Sequence, residues 1–279
     1  MKKTFVASLV FLAAASWPVF FVSAEEITTQ TRLDVPYISE VPDGRWTGSW
    51  KNACEEASIA MVDRYYASVK KTTTAWQKAY MTKLFVIERK LWKSDANTDV
   101  DMTIKLINDN SSFSARAAEN PTIDEIKKEL DAGHPVIVPV DGFKLANKNI
   151  PFLAAGSGYH MFVLIGYDDN KQTFIAHDNG DLKDGVGILY GYDRVMETLH
   201  DYSFLRKKTD GPARAIFTFP KLAKTAASHR IYYLNGDTKQ YVSQPAVFSE
   251  KGWSWGWVNT VSESWLANFK DGGVVKAKK

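Results

Sequence analysis

The chain has almost no cysteine. Cys54 is the single cysteine among 279 residues, so an internal disulfide bond is excluded. A structural zinc site of the usual thiolate-rich kind is excluded for the same reason. A lone cysteine is then either a small buried apolar side chain or a reactive thiol. Its position alone leaves both interpretations open.

The chain also lacks a strong charge of either sign. Its 35 basic and 32 acidic side chains leave a formal net charge of +3. Such a balance gives no basic excess that would favour nucleic acid, and no acidic tail is present. The hydrophobic content of 45% is that of an ordinary globular protein, large enough to bury a core without disulfides.

Apolar runs long enough to span a membrane are absent after the first 24 residues. Residues 1–24 are typical of a secretory signal peptide, because Lys2 and Lys3 precede an apolar run that ends in small residues at Ala24. An uncleaved N-terminal anchor is the alternative. We expect cleavage near Ala24 and a protein that is secreted or held in the cell envelope.

Hydrophobic periodicity divides the rest of the chain into helices followed by strands. Helical spacing begins at Cys54, and a capping box at Thr98–Asp101 precedes one of the later helices. The further helices are predicted at 74–92, 102–107 and 122–133, and the strands at 33–38, 135–140, 161–167, 172–176, 187–190 and 213–219. Helices first and a sheet afterwards predict an α+β fold.

A small module is predicted at the C-terminus. Segment 220–228 is small, polar and alanine-rich, which indicates a hinge before residues 229–279. Asn235-Gly236-Asp237 lies between two apolar runs and predicts a β-hairpin. Three tryptophans follow, which we expect mainly in the core of the module, with stacking on a sugar or a peptide as the alternative: Trp253, Trp255 and Trp257.

Cys54 stands at the expected N-terminus of the first helix. The unpaired N–H groups and the dipole of a helix start lower the pKa of a thiol, and a nearby imidazole lowers it further. Glu55 and Glu56 follow in the first helical turn, where acidic side chains favour the helix. A helix start therefore suits a reactive thiol at Cys54, while a small buried apolar side chain stays equally open, and stabilisation of the helix start is a sufficient role for Glu55.

His160 and Asp178 lie on two consecutive predicted strands. The turn at Asp168–Lys171 is centred between them, and residues symmetric about a hairpin turn lie opposite one another. A carboxylate in that position would orient an imidazole and stabilise its charged form. A shift of one residue in register would bring His177 there instead.

The remaining histidines carry no catalytic or metal prediction. We interpret His134 as helix-capping or exposed, and His200 and His229 as surface residues. No two histidines have a metal-ligand spacing such as i, i+4, so we expect neither a metal nor another cofactor.

Several blocks resemble papain-like cysteine peptidases of the bacteriocin-leader-peptidase type. They are Val35-Pro36-Tyr37-Ile38-Ser39, Asn52-Ala53-Cys54-Glu55-Glu56-Ala57-Ser58, Gly133-His134-Pro135-Val136, Tyr159-His160-Met161-Phe162 and Ala176-His177-Asp178-Asn179-Gly180. The resemblance covers residues 33–220. It implies a papain-like fold and a peptide or protein substrate, with Cys54 as nucleophile, His160 as base and Asp178 as the orienting residue. Residues 231–269 resemble accessory modules of exported bacterial proteins, which implies attachment to the envelope or recognition.

One position departs from the pattern of the family. Papain-like enzymes usually carry a glutamine upstream of the cysteine that donates to the oxyanion, and Glu40 stands in that region here. A carboxylate would repel an oxyanion unless it is protonated, and Asn52 or Trp50 could substitute as donors. Three functions therefore stay open: a thiol hydrolase, a transferase with the same residues, and a binding domain without turnover.

Overall fold

The computed structural model describes residues 29–149, 158–181 and 184–277. The predicted signal peptide, residues 1–24, lies outside these ranges. Within them, no helix combines the length and the apolar character that a membrane crossing requires.

The helices of the first half follow the predicted pattern closely. Among the described residues, the α-helices are α1 Cys54–Tyr66, α2 Thr74–Trp92, α3 Val100–Asn110, α4 Ile123–Asp131, α5 Gly142–Leu145, α6 Tyr192–Thr198, α7 Ala246–Lys251 and α8 Glu263–Ala267. The capping box predicted at Thr98 is wrong, because Asp99 is the N-cap and its side chain accepts the Met102 N–H. Helix α3 therefore begins at Val100, two residues before the predicted start. A capping box does form at Thr122, whose hydroxyl and Glu125 satisfy each other's backbone N–H groups.

Seven antiparallel strands form the main sheet. They are β1 Gln30–Arg32, β2 Phe113–Glu119, β3 Val136–Asp141, β4 Tyr159–Asp168, β5 Thr173–His177, β6 Val186–Gly191 and β7 Arg214–Pro220. Their order is β2-β7-β3-β4-β5-β6, and β1 pairs with the C-terminal end of β4. Sequence analysis misses β2, whose alanines weaken the apolar signal. The strand predicted at 33–38 is extended chain without a ladder, held at its start by the Leu33 N–H on the Ile165 carbonyl.

The two faces of this sheet carry separate apolar cores. One core joins the sheet to α1, α2 and α3, and the other lies beneath α4 and α6. β4 runs between the two cores, so all ten of its residues are buried. Burial on both faces explains why β4 is the most continuous apolar run among the strands. The combination of helices and an antiparallel sheet confirms the predicted α+β class.

A second sheet follows in the C-terminal part. Its strands are β8 Leu222–Thr225, β9 Tyr232–Asn235, β10 Thr238–Val242, β11 Val258–Val261 and β12 Lys270–Val275, in the order β11-β8-β9-β10-β12. The predicted hairpin is confirmed, with Gly236 at a φ of 55° in the turn between β9 and β10. β8 occupies much of the segment 220–228, so the predicted hinge is wrong there and the second sheet begins before residue 229.

The second sheet packs directly on the first. The Ser114 hydroxyl of β2 donates to the Leu234 carbonyl of β9 at 2.8 Å. His134 lies between the two parts, with its ring 4.7 Å from the Trp265 ring and its Nδ1 2.9 Å from Glu129. The interpretation of His134 as an exposed side chain is therefore wrong, because it is only 3% exposed.

The three tryptophans of the C-terminal part differ in environment. Trp253 stacks on Tyr233, and Trp253 and Trp257 pack at the edge of the apolar core of the second sheet. Trp255 stacks on Phe248 but stays 57% exposed, so the core interpretation is wrong for this residue.

Candidate active site

Cys54 is the first residue of α1, as the sequence predicts. A 3-10 turn, Gly48–Asn52, and Ala53 lead into it, and the side chain is 3% exposed. Its thiol donates to the Glu55 carboxylate at 3.0 Å. Burial raises the pKa of the Cys54 thiol well above its usual range, and the charges of Glu55 and Glu40 raise it further. The expected lowering of this pKa is therefore wrong, because burial and the acidic neighbours outweigh the helix start.

The acidic residues after Cys54 point into the protein. Glu55 is fully buried, and its carboxylate accepts the Thr98 N–H at 2.7 Å. Glu56 is 1% exposed and lies near Glu88 of α2, which is also buried. Burial raises the pKa of Glu55 and of Glu88 to about 7, and burial and Glu88 raise that of Glu56. The interpretation of Glu55 as an ordinary first-turn acid is wrong.

His160 and Asp178 meet in the structure. Nε2 of His160 lies 2.7 Å from Oδ1 of Asp178, and both side chains are fully buried. The predicted register is nevertheless wrong, because β4 and β5 pair Val163 with His177 and carry an irregularity between Leu164 and Gly166. Asp178 lies just beyond β5 and reaches His160 as a diagonal neighbour on one face.

The other oxygen of Asp178 has its own partners. Tyr190 donates to Oδ2 at 2.5 Å, and the amide of Asn147 lies 3.4 Å from the same oxygen. The Gly180 N–H donates to Oδ1 at 3.2 Å. Burial by itself raises the pKa of Asp178, but His160 and these donors outweigh it and lower the pKa below its usual range. Asp178 is thus held as a carboxylate.

His177, the alternative to His160, points away from this site. Its Nε2 lies 2.9 Å from the Val35 carbonyl, and its Nδ1 accepts the Gly187 N–H at 3.1 Å. Both ring nitrogens are therefore used by the backbone. This arrangement ties the extended segment after β1 to the edge of the sheet.

Glu40 completes the cluster. One carboxylate oxygen of Glu40, Sγ of Cys54 and one ring nitrogen of His160 all lie within 4.8 Å of one another. Glu40 is 1% exposed, and among the described residues no hydrogen-bond donor reaches its Oε1. Burial raises the pKa of Glu40 well above its usual range, and the charges of Asp178 and Glu55 add to the effect. Glu40 therefore keeps its proton to a higher pH than an exposed glutamate does.

The alternative donors occupy other places. Asn52 ends the 3-10 turn two residues before Cys54 and is partly buried. Trp50 packs edge-on against Phe85 of α2, with ring centroids 5.2 Å apart. Glu40 is the predicted candidate for which the structure shows an oxygen within 4.8 Å of both the thiol and the imidazole.

Asn179 links the elements of the site, and sequence analysis missed it. Its amide nitrogen lies 3.0 Å from the Cys54 carbonyl, 2.9 Å from the Ser58 hydroxyl and 3.0 Å from the Met161 carbonyl. It therefore fastens the first turn of α1 to β4 beside His160. In the sequence, the position of Asn179 directly after Asp178 is the signal that could have indicated this role.

Comparison with known proteins identifies the family of this chain. The model of the Peptidase_C39 like family matches residues 32–201, well over half of the chain. A crystal structure of a candidate C39-like peptidase from Bacillus anthracis is similar at 17% sequence identity with a TM-score of 0.44, covering 68% of this chain and 97% of that one. No curated protein matches. The chain belongs to the Peptidase C39-like family, and the predicted membership of the papain-like cysteine peptidases is confirmed.

Proposed function

We propose that the protein is a thiol hydrolase that cleaves peptide or amide bonds through Cys54, His160 and Asp178. The observation that carries the proposal is the joint placement of a lone thiol at a helix start, an imidazole within 4.8 Å of it and a carboxylate 2.7 Å from that imidazole. A nucleophile, a base and a group that orients the base are the parts that nucleophilic catalysis needs.

The proton of the thiol moves to His160 during the attack. Asp178 holds Nε2 of the ring, and in this mechanism the other ring nitrogen, Nδ1, accepts the proton. Because burial and the acidic neighbours raise the pKa of Cys54, the resting sulfur is a thiol. The carboxylate of Asp178 then stabilises the imidazolium that forms as sulfur attacks the carbonyl carbon. The leaving amine takes the proton, and water releases the acyl group from the thioester.

Glu40 supplies a hydrogen bond to the oxyanion in its protonated form. A neutral carboxylic acid carries one O–H donor, so it can do what the amide of glutamine does in related enzymes. Burial raises the pKa of Glu40 and so favours this protonated form. The backbone N–H of Cys54 is the second donor. This role removes the conflict between an acidic residue and a developing negative charge.

The site of action and the partners follow from the sequence. We propose export across a membrane with cleavage near Ala24, and a peptide or protein substrate outside the cytoplasm. The second sheet, with the exposed ring of Trp255, is a candidate for attachment to the cell envelope. No metal or other cofactor takes part in this mechanism.

A peptide library tests the proposal. The protein lacking residues 1–24 is incubated with the library, and cleavage is followed by mass spectrometry beside Cys54→Ala and Asp178→Asn. We expect cleavage that Cys54→Ala abolishes, and an electrophilic peptide that labels Cys54 one to one. Absence of both cleavage and labelling in folded protein would reject the hydrolase and favour a binding domain. Cleavage that is replaced by amide transfer when amines are added would identify a transferase.

A further inference from the structure

Three side chains of the candidate active site carry the donor atoms that Zn²⁺ prefers. They are the thiol of Cys54, the imidazole of His160 and the carboxylate of Glu40, and their donor atoms lie within 4.8 Å of one another. A glutamine at position 40 would offer only a neutral amide oxygen. The acidic residue at this position therefore changes the site from a pair of ligands into a set of three.

The surroundings of these ligands fit a cation. All three side chains are at least 97% buried, and among the described residues the Oε1 atom of Glu40 has no hydrogen-bond donor. The groups whose charge acts on the Cys54 sulfur are carboxyls, those of Glu55, Glu40 and Glu56. A divalent cation would supply the positive charge that this cluster lacks.

The histidine is already held in the manner of a metal ligand. Asp178 binds one nitrogen of the His160 ring at 2.7 Å, and Tyr190 and Gly180 bind Asp178 in turn. Histidines that bind zinc through one nitrogen commonly donate the other N–H to a carboxylate, which fixes the tautomer and the direction of the ring. The contact that prepares His160 as a base thus also prepares it as a ligand.

We propose that Glu40, Cys54 and His160 form a binding site for a thiophilic divalent cation, Zn²⁺, and that the bound ion masks the thiol. This is a reversible state of the protein that competes with a substrate for the same atoms. Binding of the ion requires no peptide hydrolysis, so this proposal is independent of the proposed hydrolase activity.

The binding step balances without any oxidant or reductant. The thiol and the carboxylic acid each lose a proton to solvent, and the sulfur and oxygen lone pairs bind the ion. The imidazole of His160 contributes a ring-nitrogen lone pair, and water fills the fourth place. Tetrahedral zinc sets neighbouring ligand atoms about 3.4 Å apart. The donor atoms, which lie within 4.8 Å of one another, therefore have to approach by at most about 1.4 Å.

Cobalt(II) is the probe, since it replaces zinc and reports a bound thiolate by an intense charge-transfer absorption. Protein lacking residues 1–24 is titrated with Co²⁺, and Zn²⁺ is then added to displace it. We expect one Co²⁺ per chain, with an absorption that Cys54→Ser abolishes. Because the chain has one cysteine, the band reports this site alone.

Two Glu→Gln variants distinguish the loss of a metal ligand from the loss of a nearby buried carboxyl. Glu40→Gln removes a ligand and should weaken Co²⁺ and Zn²⁺ binding by about tenfold or more. Glu56→Gln changes a neighbouring buried carboxyl outside the ligand set, and its affinity should stay within about threefold. Zn²⁺ should also slow the alkylation of Cys54 by iodoacetamide in the wild type, and much less in Glu40→Gln.

The proposal is overturned by equal affinity of the wild type and Glu40→Gln, or by Co²⁺ binding without the thiolate band. Binding that survives Cys54→Ser would place the ion elsewhere and would also overturn it. None of these measurements uses a peptide, so a failure of the hydrolase proposal leaves them unaffected.

Discussion

The reactivity of Cys54 depends on the balance between a helix start and its acidic neighbours. The helix start and His160 favour a thiolate, whereas burial and the carboxyl of Glu55 favour the thiol. In this structure burial and the carboxyl of Glu55 have the larger effect, and the pKa of the thiol is raised. We therefore expect the thiol to be protonated and poorly reactive in the free protein, and to lose its proton only as it attacks.

Alkylation by iodoacetamide measures this balance. We expect the rate at Cys54 to rise only at a pH above that of an ordinary thiol, near 8.5. Glu55→Gln removes the acceptor of the thiol proton and one raising charge, so its alkylation profile should move to lower pH. Glu197→Gln, at an exposed position, is the control and should leave the profile unchanged. An unchanged profile in Glu55→Gln would contradict the role of this neighbour.

Glu40 is expected to act as an acid and not as a carboxylate. Glu40→Ala removes the donor, which should lower kcat/KM by about 100- to 1,000-fold. Glu40→Gln restores a neutral N–H donor and should stay within about tenfold of the wild type at neutral pH. As pH rises through the raised pKa of Glu40, the wild type should lose activity, whereas Glu40→Gln should not show this loss.

Peptide cleavage by the three proteins between pH 5 and 9 provides the measurement. Equal activity of Glu40→Ala and the wild type would show that Glu40 does not touch the reacting atoms. If the rate of the wild type instead rises with pH over a range in which the rate of Glu40→Gln is constant, the carboxylate form of Glu40 is the active one.

At the scale of elements, Asn179 determines how α1 meets the sheet. Its two amide hydrogens are shared among the Cys54 carbonyl, the Ser58 hydroxyl and the Met161 carbonyl. Asn179→Ala removes this donor from the three buried acceptors, although the Met161 carbonyl keeps the Ser58 hydroxyl at 3.3 Å, and the loss should cost about 2 to 3 kcal/mol of unfolding free energy. Denaturant unfolding measures the loss, and Asn268→Ala at an exposed site should change stability by less than about 0.5 kcal/mol.

A loss of activity in Asn179→Ala should exceed what unfolding explains. Because the residue positions the start of α1 beside β4, kcat should fall in protein that remains folded, while the Cys54 thiol remains present and can be titrated. Full activity in the folded variant would reduce Asn179 to a structural residue only.

At the scale of the whole molecule, buried acids lie between α1, α2 and the loop that precedes α3. Burial is the first cause of the raised pKa of Glu55 and Glu88, which are both about 7. A raised pKa means that the folded chain binds more protons than the unfolded chain between about pH 4.5 and 7. The free energy of unfolding contributed by these groups is therefore fully present below pH 4.5 and falls as pH rises to about 7.

Glu88→Gln tests this pH dependence. The variant cannot lose a proton at position 88, so the decline of its unfolding free energy over this range should be smaller than that of the wild type by about 3 kcal/mol. Urea unfolding at several pH values gives the two slopes, and Glu197→Gln should keep the slope of the wild type. Identical slopes in Glu88→Gln and the wild type would mean that Glu88 is ionised in the folded protein.

The sequence by itself determined the features that depend on neighbouring residues. Periodicity placed α2 at Thr74–Trp92, and local turn chemistry placed the hairpin at Gly236. The start of α1 at Cys54 and the closeness of His160 to Asp178 also follow from local patterns. The order of the sequence blocks identified the family, while the catalytic roles of the three residues stay predictions.

Only the tertiary structure decided burial, register and the charge state of the acids. An irregularity in β4 changed the pairing with β5, and no local signal marks it. Glu40, Glu55 and Glu88 are ordinary acids in the sequence, and their raised pKa values come from groups that are distant along the chain. The same holds for Asn179, whose three partners belong to α1 and β4. Packing brings these groups together, so contacts between distant segments determine the chemistry of the site.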